Sequence, residues 1–293
     1  MKVCVPATSA NLGPGFDVLG LALDLKNIVE IKESSFQSIS IRGYGQDVVN
    51  FKINNMFVRI FSQVFEKLTS DNTKFNFKFE NNVPLSSGLG SSSTVIVGAI
   101  AGAYKMAGVT LSKESLLNHA LKYEHHPDNI APAVHGGFVV SMVEKEKVYV
   151  HKKNISKNLK AVILKPDVSV NTEESRKVLP SYYNQDDTIF NLSRCSYLVS
   201  CFFNEDWKNL RIASNDKLHQ EQRMALIPGI VQARKIALEN GALMSTLSGS
   251  GPTLFNLVYE NDANRIYSKF REVFNKSLVR ILNFDNEGTT FGE

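Results

Sequence analysis

The sequence predicts an α+β fold in two domains. Three observations lead there. Apolar residues alternate in some stretches (Phe75, Phe77, Phe79) and recur at helical spacing in others (Met56, Phe57, Ile60, Phe61, Val64, Phe65), so strands and helices are mixed along the chain. A Lys/Asn/Ser segment at 152–158 divides the chain near its middle. The 293 residues, 43% hydrophobic and 21% charged, suffice for two domains of usual size. The expected units are 1–154 and 155–293, the second a small sandwich of strands and helices.

Taken in order, residues 1–5 alternate and read as a strand. Residues 6–17 (Pro-Ala-Thr-Ser-Ala-Asn-Leu-Gly-Pro-Gly-Phe-Asp) are dense in turn formers and read as a structured loop. Leu19 to Ile31 reads as strand, Ile53 to Phe65 as an amphipathic helix, and Phe75 to Phe79 as a half-buried strand. A Gly/Ser loop at 83–93 leads into an apolar helix from Thr94 to Tyr104. Ser112 caps the next helix, which carries Leu116, Leu117, Ala120 and Leu121 and is expected to end near His126-Pro127. Phe138–Met142 and Val148–Val150 read as strands. Beyond the divide come a strand (Leu159–Leu164), a short helix (Glu173–Leu179), helices at 187–203 and 206–215, and one from Ile230 to Asn240 that Gly241 terminates. Strands at Leu243–Leu247 and Thr253–Tyr259 flank a second glycine loop, 248–252; a helix at 262–275 and a strand from Leu278 to Phe284 follow.

The most informative stretch is Val83-Pro84-Leu85-Ser86-Ser87-Gly88-Leu89-Gly90-Ser91-Ser92-Ser93. Its glycines permit backbone turns closed to other residues. Opening a helix, it leaves amide groups unpaired at the positive end of the helix dipole, which suits phosphate. Other nucleotide signatures do not fit. No Gly-Lys pair exists for a P-loop, Ser93 stands where a dinucleotide fingerprint needs its third glycine, and H-R-D and D-F-G are absent. His119, His125 and His126 lack zinc spacing, and Cys4, Cys195 and Cys201 form no CxxC and no disulfide framework. The formal charge of +4 is mild, and the basic segment 152–160 has no interleaved aromatics, so no nucleic-acid partner is expected. No run approaches the roughly 18 apolar residues of a membrane span, and the N-terminus lacks a signal-peptide core, so a cytoplasmic protein is expected.

Four segments stand outside the helix and strand patterns: 6–17, 83–93, 123–137 and 248–252. Together they resemble the motifs of the GHMP kinases, and among those the homoserine kinases. The strings concerned are Thr8 to Asp17, Pro84 to Ser92, His126-Pro127-Asp128-Asn129-Ile130-Ala131-Pro132-Ala133 with Gly136-Gly137, Leu218-His219-Gln220-Glu221-Gln222-Arg223 with Ile227-Pro228-Gly229, and Leu247 to Pro252. The resemblance implies an N-terminal domain like ribosomal protein S5 domain 2 and a ferredoxin-like C-terminal domain. It implies ATP-dependent phosphorylation of the L-homoserine hydroxyl in threonine biosynthesis, with Mg²⁺ as cofactor and a homodimer as the assembly.

Carried over residue by residue, the loop 83–93 binds ATP. Asp17 is similar to the residue that meets the substrate's ammonium, Asn11 to a polar substrate contact, and Arg176 and Arg223 to the arginines that face its carboxylate. Arginine suits that task because its planar fork binds a carboxylate bidentately. Thr172 matches a position near the phosphoryl acceptor. Glu124, beside Ser91 or Ser92, matches the acidic Mg²⁺ contact, and one carboxylate with phosphate oxygens and waters is ordinary for that ion. His126 is read as orienting the loop or the substrate. Asp128 and Asn129 lie where related kinases place a catalytic aspartate; Asn129 is read as positioning substrate, and whether Asp128 acts as a base stays open. His125 departs from the pattern, which commonly has glycine there, and this puts the local backbone in question.

Overall fold

The structure, a computed structural model, describes residues 1–292 apart from the side chain of Thr172. The N-terminal unit contains β1 (Lys2–Ala10), β2 (Leu19–Ser34), β3 (Ser38–Gly43), α1 (Val49–Ile53), α2 (Met56–Thr69) and β4 (Lys74–Asn81). It continues through α3 (Ser91–Met106), α4 (Lys113–Ala120), α5 (Pro127–His135), β5 (Phe138–Glu144) and β6 (Lys147–Lys153). Then come β7 (Leu159–Lys165), α6 (Thr172–Lys177), α7 (Gln185–Asn204), α8 (Leu210–Ala213), α9 (Gln220–Met224) and α10 (Ile230–Glu239). The chain closes with β8 (Met244–Leu247), β9 (Leu254–Tyr259), α11 (Glu260–Val273), β10 (Leu278–Leu282) and β11 (Thr290–Gly292).

The first sheet runs β11-β1-β2-β4-β3, with β5 joined to the near end of β2 and β6 to β5. Its pairings are antiparallel except β3 with β4. One face is covered by α2, α3, α4 and α5. The phenylalanines of alternate β4 positions (Phe75, Phe77, Phe79) meet Phe57, Phe61 and Phe65 of α2 edge to face, with centroids 4.9–6.0 Å apart. The near-continuous apolar character of α3 follows from its place between α2 and the sheet, where it is buried on most sides.

The second sheet runs β10-β7-β9-β8, all antiparallel, which is the ferredoxin-like order. Both its faces are covered, so β7 reads as a continuous apolar run. Val162 and Leu164 pack against α10 and α11, while Ala161 and Ile163 face the core shared with Leu19, Leu21, Leu23 and Phe138 of the first sheet. That shared core fixes the two sheets against each other and sets the geometry of the cleft above it.

Several elements differ from expectation. Strand β1 extends through Ala10, because Pro6 sits at a register shift between Pro6 and Ala7, where a bulge tolerates a residue without N–H. The helix from Ser112 ends at Ala120, not near Pro127, and Pro127 begins α5 inside a segment expected to be loop. Proline is at home at a first helical position, its missing N–H being one that no helix uses there. The short elements β3, α1, α9 and β11 were not expected. The last of these returns the chain to the first sheet, pairing Thr290 with Cys4 and Gly292 with Lys2.

Candidate active site

A cavity of about 510 Å³ lies where the two sheets meet, walled by the loop after β1, the loop before α3, the start of α5, the segment 169–176, Arg223 and the 248–252 loop. All four segments outside the sequence pattern converge here.

The Gly/Ser loop is shaped by positive φ angles at Ser86 (47°), Gly88 (76°) and Gly90 (67°). Ser87 Oγ donates to Pro84 O at 2.7 Å, and Ser248 Oγ donates to Gly88 O at 2.7 Å, tying the two glycine loops together. A buried Asn27 clamps the loop's entry and exit: its Oδ1 accepts from the amides of Asn82 and Val83, and its Nδ2 donates to Thr94 Oγ1. Gly90 is the N-cap of the 16-residue helix α3. The amides of Ser91, Ser92 and Ser93, its first turn, find no acceptor among the described residues. They face the cleft at the positive end of the helix. Ser86, Ser87, Gly88, Gly90, Ser91, Ser92 and Ser93 line the cavity. Val83 and Leu89 do not: both are fully buried in the core, and Pro84 is buried with them. Leu85 also lies off the cavity wall.

The opposite end is charged. Asn11 and Asp17 hold left-handed backbones (φ 69° and 59°), and Asn11 Oδ1 accepts the Asp17 amide at 3.0 Å, which fixes the tight loop. Asn11 Nδ2 donates to Gly249 O at 3.0 Å. Arg176 Nη2 lies 2.7 Å from Asp17 Oδ1. Arg223 is only 2% exposed and spends its donors on neutral acceptors, Ser175 O and Gly249 O at 3.3 Å each and His219 Nδ1 at 3.4 Å. Burial, with the Arg176 guanidinium nearby, pulls its pKa down to about 10. It remains a cation in want of an anion.

Between these ends sits the start of α5. Asn129 Oδ1 accepts from Thr8 Oγ1 at 2.7 Å. Asp128 lines the cavity yet is 4% exposed. Burial, and then the nearby Asp17 carboxylate, push its pKa up to about 7. His126 Nε2 is 3.7 Å from Asp17 Oδ2, and its Nδ1 is 3.4 Å from Glu124 Oε1. The Glu124 contact raises the His126 pKa against the opposing effect of partial burial. His125 is exposed and its φ is not positive, so the backbone there accommodates a side chain without strain. The side chain of Thr172 lies outside the described residues; Asn171, Glu174, Ser169 and Val170 from the same segment line the cavity.

The family model for the GHMP kinases N terminal domain matches residues 55–137, and that for the GHMP kinases C terminal matches 198–276. The homoserine kinase of Nitratiruptor sp. is 55% identical over 293 residues, covering all of both chains. The chain belongs to the homoserine kinases of the GHMP superfamily. The Sulfurovum sp. homoserine kinase is 51% identical over 288 residues, covering 98% of this chain and 99% of that one. The crystal structure of the Cytophaga hutchinsonii homoserine kinase superposes with a TM-score of 0.88 at 28% identity, covering 99% of this chain and 96% of that one. The S5-like and ferredoxin-like pair of domains is thus that of a GHMP kinase.

For a homoserine kinase, this cleft contains groups that the motif strings alone did not single out. Thr8 holds Asn129, Ser248 holds the Gly/Ser loop, Phe16 lies against both arginines, and His219, itself held by Asp216, packs on Phe16. Apart from Asp216, which binds the amides of His219 and Gln220 just after it, their partners are far away in sequence, 206 positions in the case of His219 and Gly13, so no local spacing announces them.

Proposed function

We propose that ATP and L-homoserine meet in this cleft, the triphosphate on the amides of the 86–93 loop and the amino acid between Asp17, Arg176 and Arg223. The chain is an ATP-dependent kinase that transfers the γ-phosphoryl group to the side-chain hydroxyl of L-homoserine, giving O-phospho-L-homoserine in threonine biosynthesis. The observation that supports this division of the cleft is the pairing of two unlike ends in one cavity. One end offers unpaired helix-terminal amides; the other offers a carboxylate beside two guanidiniums, the complement of an ammonium and a carboxylate on one carbon.

In this reading the N-terminal unit, 1–154, supplies the nucleotide site, and 155–293 supplies both arginines. Homoserine's ammonium joins Asp17, which frees Arg176 to share the substrate carboxylate with Arg223; Asn11 and His126 flank it. Asn129, held by Thr8, orients the hydroxyl, and Thr172 stands near it. Asp128 receives the hydroxyl's proton, its pKa of about 7 matching a base that works near neutrality. Most of the rate enhancement then comes from position and electrostatics, as phosphoryl transfer requires.

Glu124 and Ser91 or Ser92 line the same cavity as hard oxygen donors and fit Mg²⁺. Among the described residues no group of three or more His, Cys, Asp or Glu is placed to hold a metal alone, so the remaining ligands would be phosphate oxygens and water. When bound, the ion neutralises charge on the β- and γ-phosphates. A cytoplasmic homodimer is the setting we propose on the family likeness. No helix among the described residues is long and apolar enough to cross a membrane.

ADP release measured with L-homoserine, and separately with mevalonate, tests the assignment: turnover is expected with the first and not the second. Arg223→Lys replaces a bidentate fork with a point charge. It is expected to raise KM for L-homoserine about tenfold or more, with KM for ATP little changed. Equal KM values for both substrates in the variant and the parent would remove Arg223 from the clamp.

A further inference from the structure

Arg176 and Arg223 come from different helices, yet both guanidiniums lie over one aromatic ring. Arg176 Cζ is 5.2 Å and Arg223 Cζ 5.0 Å from the centroid of Phe16. Two like charges gathered at one place repel, and Asp17 directly neutralises only the first. The face of an aromatic ring carries partial negative charge and attracts both.

The ring itself is held by a second aromatic group. His219, fully buried, packs on Phe16 with centroids 5.0 Å apart and planes at 33°. Its Nε2 is 2.8 Å from the Gly13 carbonyl, in the loop that carries Phe16, and its Nδ1 is 3.4 Å from Arg223 Nη1. Burial pulls its pKa down; an arginine can only donate and a carbonyl can only accept. The partners therefore assign Nε2–H as donor to Gly13 and Nδ1 as acceptor from Arg223. Asp216 completes the support by accepting the amides of His219 (2.9 Å) and Gln220 (2.8 Å).

We propose that Phe16 is a positioning residue for the substrate carboxylate: its ring face gathers the two guanidiniums into one anion-facing pair, and His219 locks the ring in place. The proposal rests on reading Arg176 and Arg223 as the carboxylate clamp. It accounts for a partly buried aromatic residue at the cleft end of a loop whose other large apolar side chain, Leu12, is fully buried in the core.

The test is kinetic. Phe16→Leu should raise KM for L-homoserine about tenfold, the size expected when a contact worth about one cation–π interaction is lost, while KM for ATP and kcat change less than about threefold. Phe16→Tyr should restore most of the loss, because it keeps the ring face. Replacing Phe16 with pentafluorophenylalanine keeps the shape and reverses the ring's charge distribution. It should raise KM for L-homoserine as Leu does, and it decides the matter if Phe16→Leu does not fold. An unchanged KM in the fluorinated enzyme, or a loss shared equally by ATP and L-homoserine, overturns the proposal. L-homoserine-dependent ADP release by the unaltered enzyme separates the two levels. If it is absent, the clamp reading falls and the platform with it; if it is present and the fluorinated enzyme matches the parent, only the platform falls.

Discussion

Asp128→Asn is expected to lower kcat by about 10²–10⁴-fold, the usual contribution of a general base, and at the same time to make the protein more stable at alkaline pH. The two effects share a cause. The carboxyl group is buried, and its pKa stands at about 7 instead of 3.8. A folded-state pKa above the unfolded value means that the folded protein binds this proton more tightly. The stability that goes with it is complete below the unfolded value and is lost as pH rises through the folded one. Over that interval, about three units, the loss is on the order of 4 kcal/mol. An asparagine has the same shape and never ionises. Its advantage in thermal denaturation should therefore grow between about pH 4 and about pH 7 and then level off. Kinetics and melting curves on one variant check both halves. A kcat loss below tenfold would take the proton away from Asp128, and a melting temperature that falls at pH 8 would deny that the carboxylate is strained there.

The second large effect is expected at Gly88. Its φ is 76°, and a Cβ at this position would lie 2.2 Å from the backbone oxygen of Ser248. The obstacle is backbone, so no side-chain rotation relieves it. Gly88→Ala must then push apart the two glycine loops that Ser248 Oγ joins at 2.7 Å. The left-handed conformation alone costs about 1–2 kcal/mol for an alanine. Displacing the Gly/Ser loop by about 1 Å should lower kcat/KM for ATP about 10²-fold or more. The melting temperature should fall as well, because the same contact joins the two units. Steady-state kinetics with ATP varied checks this; wild-type values would show that the loop contact is not required.

Legibility in the sequence was uneven, for physical reasons. The shape of the Gly/Ser loop was readable because its cues are local: glycines where φ is positive, serines at a helix start, a helix following directly. Long amphipathic or apolar helices, such as α2 and α7, and the alternating β4 were equally plain. What failed was punctuation. Pro127 reads as a stop for the preceding helix, but it is also the best residue with which to start the next, and the polar string between hides that. Pro6 reads as loop because a proline seldom sits in a strand, yet a bulge absorbs it. The three residues of β11 carry no period, and their strand exists only because β1, at the other end of the chain, offers an open edge. The site shows the same divide. Inward-pointing Val83 and Leu89 belong to the loop motif but serve the core, while Phe16, which lies against both arginines, and His219, which packs on Phe16, are united only by the fold.

The central claim is that one cleft holds a triphosphate on helix-terminal amides and a zwitterion on Asp17, Arg176 and Arg223. A crystal structure with L-homoserine and a non-hydrolysable ATP analogue tests it most directly. The account predicts the β- and γ-phosphates against the amides of residues 86–93, the substrate ammonium on Asp17, and its carboxylate on both arginines, with the hydroxyl facing the γ-phosphate near Asp128. Phosphates bound away from that loop, or an amino acid remote from Asp17 and the two arginines, would contradict it.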